Sequence, residues 1–223
     1  TLFNSFDERS PRYLDPTASY SNPETPYTYS AYEPLYAYHY LKRPYEVIPA
    51  TATEVPKPRY FDANGQPLPE DADPARIAYS DYVIRLQPGI RYQPHPAFAE
   101  QTVDLARVET LADFPNRGTR ELVAEDYVYA IKRLAHPRPH SPILGLMSED
   151  IVGLDELAKT LQSHQKSAVA TRRDEWIDLR SFPLAGVEAL DRYTYRIRVK
   201  GKYPQFVYWL TMPFFAPMPW EAD

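Results

Sequence analysis

Apolar and polar residues alternate most cleanly around Tyr82: Tyr82, Ile84 and Leu86 fall on one side of an extended chain, with Val83, Arg85 and Gln87 on the other. A period of two is that of a β-strand with one face on a core, so a strand is predicted, with Pro88-Gly89 as a turn before Ile90 and Tyr92 resume it. The same period returns late in the chain. Val187 to Leu190 and Tyr193 to Lys200 flank Asp191-Arg192 and predict a hairpin. Tyr193, Tyr195, Ile197 and Val199 face one way in it, and Thr194, Arg196, Arg198 and Lys200 the other. Between these lies another spacing, in which Tyr127, Ile131 and Leu134 recur at steps of four and three, one apolar stripe of a helix. Glu121, Glu125 and Asp126 stand near its start and Lys132, Arg133 and His136 near its end, the order a helix macrodipole favours, and Pro137 stops it. Further helices are predicted from about Asp155 to His164 and over Gln205 to Met212. Strands and helices interleave and no internal repeat is visible, so the fold class is mixed α and β (α+β).

The first part of the chain is rich in Tyr and Pro. Ten of the 19 Tyr fall within the first 60 residues. Thr25 followed by Pro26 reads as an N-cap and first helical position, which puts Tyr29, Tyr32 and Tyr36 on one side of a helix bent at Pro34. Rings at such spacing are expected to pack against a core, each hydroxyl finding a partner at the edge. From Val55 to Asp73, Pro, acidic residues and Asn64-Gly65 predict a surface loop with a tight reversal.

Charge and composition narrow the function. The 223 residues carry 25 basic and 30 acidic side chains, a net charge of −5, which argues against a general nucleic-acid binder. With no Cys there is no disulfide, thiol nucleophile or thiolate metal site. No apolar run reaches membrane-span length, since Pro213 and Pro217 break the longest cluster, Phe206 to Met218. The sequence opens at Thr1 without an initiator Met or signal-type segment, as expected of a processed or trimmed product. The seven Gly are scattered, with no phosphate-binding motif. Ser141 beside His140 lacks a nucleophile elbow, and Pro137 and Pro139 keep His136 and His140 from sharing one metal. The acid pairs Glu125-Asp126 and Glu149-Asp150 are expected to be solvated at helix ends. Neither catalytic residues nor a cofactor or metal are predicted.

The segment AEDYVYAIKRLAHPR, from Ala124 to Arg138, resembles the AEDVVYSIKRLADPR signature of the extracellular solute-binding proteins of peptide-type ABC importers (family 5, the oligopeptide- and dipeptide-binding proteins). Three more stretches follow that family's order: LDPTASYSNPETPYTYSAYEPLYAYHY from Leu14, YVIRLQPGIRYQPHPAF from Tyr82, and the end from Gly186. Val123 departs from the pattern, standing where the family has Thr or Ser as N-cap, so that hydrogen bond must come from elsewhere. The stretches Val55 to Ala78 and Gln101 to Arg120 look like inserts of the larger members.

The resemblance implies a type II periplasmic-binding-protein clamshell, with this chain as first lobe and small subdomain and the second lobe absent. Residues 1–45 and 151–223 would belong to the first lobe, and residues 46–150 to the subdomain. It further implies a periplasmic, non-enzymatic protein that captures a peptide or other small solute and delivers it to an ABC permease in the cytoplasmic membrane. Tyr20, Ser21 and Asn22, together with Ser141, Pro142 and Ile143, would flank the ligand groove. Relatives can carry a Tyr hydroxyl where Ile143 has none. The family's acidic anchor for a peptide amine would lie on the other lobe. Two rivals remain: a carbohydrate-binding module using solvent-facing coplanar Tyr between Tyr27 and Tyr40, and a hydrolase using facing acid pairs.

Overall fold

The structure is a computed structural model that describes residues 10–102, 104–170 and 176–223. Five antiparallel strands form its main sheet, in the order β4-β3-β5-β7-β6. They are β3 (Arg59–Phe61), β4 (Pro67–Leu68), β5 (Tyr79–Arg85), β6 (Val187–Asp191) and β7 (Thr194–Lys200). β5 and β7 pair along their whole length, from Tyr79 opposite Lys200 to Arg85 opposite Thr194. The alternation read from sequence is physical: Tyr82, Ile84, Tyr195, Ile197 and Val199 are buried in one core. On the other face Asp81 accepts from Arg198 at 2.6 and 2.8 Å. The late hairpin forms as predicted, except that Tyr193 belongs to its turn, and the pairing slips by one residue between Ala189 and Asp191.

The stretch Val55 to Asp73 is not only a loop. Arg59–Phe61 and Pro67–Leu68 form a short hairpin that reverses at Asn64-Gly65, where Gly65 has a φ of 77°. The reversal was legible; the strands were too short and too Pro-rich for a periodic signal.

The helix α2 (Ala124–Leu134) lies over β6 and β7. Its Tyr127 ring stacks on Tyr195 at 5.4 Å and 10°, joining helix to sheet. The Tyr127 hydroxyl lies 2.6 Å from that of Thr51. Val123 offers no acceptor at the N-cap, and two other groups serve the helix start. The Ala124 N–H donates to the Arg192 carbonyl at 2.9 Å, and the Asp126 carboxylate accepts from the Val123 N–H at 3.0 Å. α3 (Leu144–Asp150) and α4 (Leu154–Ala170) follow, the latter extending beyond the predicted His164 and burying Leu154, Leu157 and Leu161.

Two predicted helices are shorter. Over Gln205 to Met212 only α5 (Phe206–Trp209) is α-helical, because turns lead into Pro213. α1 spans Thr25–Ala31, with Glu24 rather than Thr25 at its N-cap position. It ends at Tyr32, which is extended, two residues ahead of Pro34. Tyr36 therefore lies in β1 (Tyr36–Tyr38), which pairs with β2 (Val47–Pro49). Tyr29 is exposed, Tyr32 half-buried and Tyr36 fully buried, so these three rings do not share one helical face. The coplanar platform of a carbohydrate-binding module is not formed by them.

Candidate binding surface

α2 carries two Arg clusters that tie distant segments together. Near its start, Asp126 is buried and not solvated as its sequence position implied. Arg120 donates to it at 2.8 and 2.6 Å and to Glu221 at 2.7 Å. A carboxylate leaving water at a helix start needs such a partner. Near the end of α2, Arg133 donates to both oxygens of Asp15 at 2.9 Å, to Thr17 Oγ1 at 2.7 Å and to Asp223 at 2.8 Å. Tyr129 also donates to Asp223, at 2.8 Å. Burial pushes the Asp15 carboxyl up, and the hydrogen bonds and charge of Arg133 more than offset this, leaving it below its ordinary range. Burial lowers His136, whose Nδ1 accepts from the Arg138 N–H at 3.1 Å.

Arg133 thereby fixes the loop from Asp15 to Glu24, which a second charged group shapes from within. Glu24 is buried, and its carboxylate takes five hydrogen bonds. These come from the N–H groups of Arg12, Tyr13, Tyr20 and Ser21 and from the Ser19 hydroxyl, at 2.9 to 3.2 Å. Burial alone would raise its pKa; the donors outweigh it and hold the carboxyl at about 2. A signal for Glu24 existed: Ser21-Asn22-Pro23-Glu24 is a capping-box pattern, in which Glu reaches back to the Ser N–H. It was masked by the stronger Thr25-Pro26 pair.

Of the six residues predicted to flank a ligand, the structure brings three together. Tyr20, Ser21 and Pro142 line an open hollow of about 560 Å³, shared with Glu24 and His140. The Tyr20 ring is two-thirds exposed and tilts against Phe214 at 5.7 Å. Asn22 is exposed next to Ser21 without lining the hollow. Ser141 Oγ is enclosed with no hydrogen-bond partner among the described residues. Ile143 sits in the core at the start of α3, so its side chain faces away from solvent. Two further hollows continue along α1. One of about 230 Å³ shares Tyr20 and runs to Tyr29, Met212 and Phe214; the next, of about 570 Å³, shares Tyr29 and runs past Tyr32 and Glu33 to Tyr38. Together they make a stepped trough with Tyr20 and Tyr29 as its dividing walls.

Among the described residues no three metal-ligating side chains converge, and no helix is long and apolar enough to cross a membrane.

No protein-family model and no curated protein matches the sequence. Solved structures do match in fold. The chain is similar to the murein tripeptide binding protein MppA of Escherichia coli, with a TM-score of 0.57 and 16% identity over 96% of this chain and 30% of that one. It is also similar to the periplasmic binding protein DppA of Helicobacter pylori in complex with a peptide, with a TM-score of 0.51, 17% identity, and 94% and 29% covered. A third is the substrate-binding domain of an oligopeptide ABC transporter from Bacillus anthracis, with a TM-score of 0.51, 16% identity, and 97% and 30% covered. The chain thus has the mixed α/β fold of part of a solute-binding protein and spans about 30% of the length of these structures.

Proposed function

We propose that this chain is part of the solute-binding component of an ABC importer, taking a peptide along the α1 trough for delivery to a membrane permease. The observation that carries the reading is the agreement of two results. The fold is that of part of peptide-binding transport proteins, and three of the six positions placed at a groove from sequence line one open hollow. The hollow offers an extended peptide hydroxyl groups beside exposed rings, without a deep pocket selecting one side chain. The loop that carries Tyr20 and Ser21 is fixed in advance by Glu24 from within and by Arg133 through Asp15 and Thr17, which lowers the ordering cost of binding. In this reading the solute is bound and not transformed, which is supported by neither acid pair lining the trough and by Asp126 being held by Arg120. The protein would act on the outer side of the cytoplasmic membrane.

An open trough excludes little water, so the 223-residue chain should bind peptides only weakly, on the order of millimolar. Titrating the isotopically labelled chain with mixed oligopeptides should shift the amide resonances of Tyr20, Ser21 and Ser141 first. Shifts confined to the opposite face of the sheet, around Arg196 and Arg198, would remove the proposal.

A further inference from the structure

The Tyr-rich stretch leaves one hollow unexplained, the far step of the trough. Its walls are the Tyr29, Tyr32 and Tyr38 side chains with Glu33, Ala50 and Thr211, and Glu33 is the single charged residue lining it. Glu33 is exposed, and its carboxylate has neither a hydrogen bond nor an ion pair among the described residues. Other acids around the trough differ. Asp15 is held by Arg133, and Glu24 by five donors. An unmatched carboxylate in a hollow lined by tyrosine residues is a site of negative potential, and the face of a tyrosine ring adds to the attraction of a cation that stacks on it.

The walls are pre-set. Tyr38 lies parallel to Tyr208, with centroids 6.2 Å apart and planes 10° apart, and Tyr45 meets its edge at 5.8 Å. Across the hollow, Tyr29 is anchored by α1 and exposes about half its surface, as does Tyr38. Burial first, then the Tyr38 hydroxyl, raises the Tyr29 pKa. Tyr29 and Tyr38 make no direct ring contact that would close the gap, and about 570 Å³ remains between the walls, ample for an alkylammonium group.

We infer that the hollow between α1 and β1 is a cation site, in which Tyr29, Tyr32 and Tyr38 cage an ammonium group and Glu33 neutralises it. The site does not depend on the trough carrying a peptide. Where it does, the site selects ligands with an amine at that end.

The test uses the 223-residue chain and choline, butylammonium and the uncharged choline isostere 3,3-dimethylbutan-1-ol, followed by calorimetry and by Tyr ring resonances. Both cations should bind about tenfold or more tighter than the isostere. Glu33→Gln should bring the cations to within about twofold of the isostere. Tyr38→Phe should keep binding, since the ring face and not the hydroxyl acts, whereas Tyr29→Leu and Tyr38→Leu should each lose several-fold with an unchanged circular dichroism spectrum. Equal binding of cation and isostere, or an unaffected Glu33→Gln variant, overturns the inference. Two peptides separate the sources of the amine: one with a single Lys and an acetylated N-terminus, the other with a free N-terminus and no Lys. An acetylated peptide without Lys that shifts Tyr20 and Ser21 while both amine peptides bind no better leaves the peptide reading standing and removes this one. Choline binding without any peptide response does the reverse.

Discussion

Around α2 the charged groups are withdrawn from water and matched: Arg120 joins Asp126 to Glu221, and Arg133 joins Asp15 to Asp223. Along α1 and the β1–β2 hairpin the opposite holds, with Tyr29, Tyr38, Tyr40 and Tyr45 facing solvent and Glu33 unpaired among the described residues. Three of these four pairs link segments 90 to 118 residues apart in sequence, so their energy goes into closing the fold, and Arg120–Asp126 is the local one. The exposed rings touch mainly neighbours within the same hairpin, or Tyr208 beside it. One region holds the scaffold, and the other exposes the rings that the proposed binding uses. Apolar rings stay exposed at a cost that a scaffold alone gives no reason to bear.

That contrast can be broken most directly at Arg133. Arg133→Met should cost about 3 kcal/mol, because Asp15 and Asp223 both lose their cation in a largely buried setting, and urea denaturation monitored by circular dichroism measures it. A loss below about 1 kcal/mol would mean that α2 is no more committed to the scaffold than the hairpin is.

Glu24 stands between the regions, a buried charge at the root of α1. Glu24→Gln should cost about 1 to 2 kcal/mol near neutral pH, since an amide cannot accept from all five donors. Because folding depresses this carboxyl from near 4.5 to about 2, its contribution is fully present above pH 4.5 and is lost as pH falls toward 2. The gap between native protein and variant should therefore close over that window, and parallel acid titrations would instead assign the cost to packing.

The smallest effect is expected at the tip of the hairpin. Tyr40 is 88% exposed, and Tyr40→Ser should change stability by no more than about 0.5 kcal/mol in the same denaturation assay. A larger loss would show that the exposed rings also hold the scaffold.

Legibility in the sequence followed the range of the forces involved. The β5 alternation and the α2 stripe were readable because a side chain's face follows from its own neighbours along the chain. The end of α1 at Tyr32 is not legible in the sequence, where Pro34 reads as a bend, although it stops a short helix that has no core to carry it further. The helix-start rule sends Asp126 to water because it sees only the helix; Arg120, six residues earlier across an irregular turn, cannot be aimed at it from sequence. The family resemblance puts Ile143 beside Ser141 and Pro142 at a groove, yet its side chain points inward, a direction set by the backbone entering α3.

By itself, then, the sequence determined the periodic elements, the absence of thiol chemistry, and a family likeness that anticipated the mixed α/β fold. Only the tertiary structure decided which charges are matched, which rings are walls and which hollows join, because those depend on segments a hundred residues apart meeting in space. Local periodicity records the face a residue shows, and carries no record of what arrives to meet it.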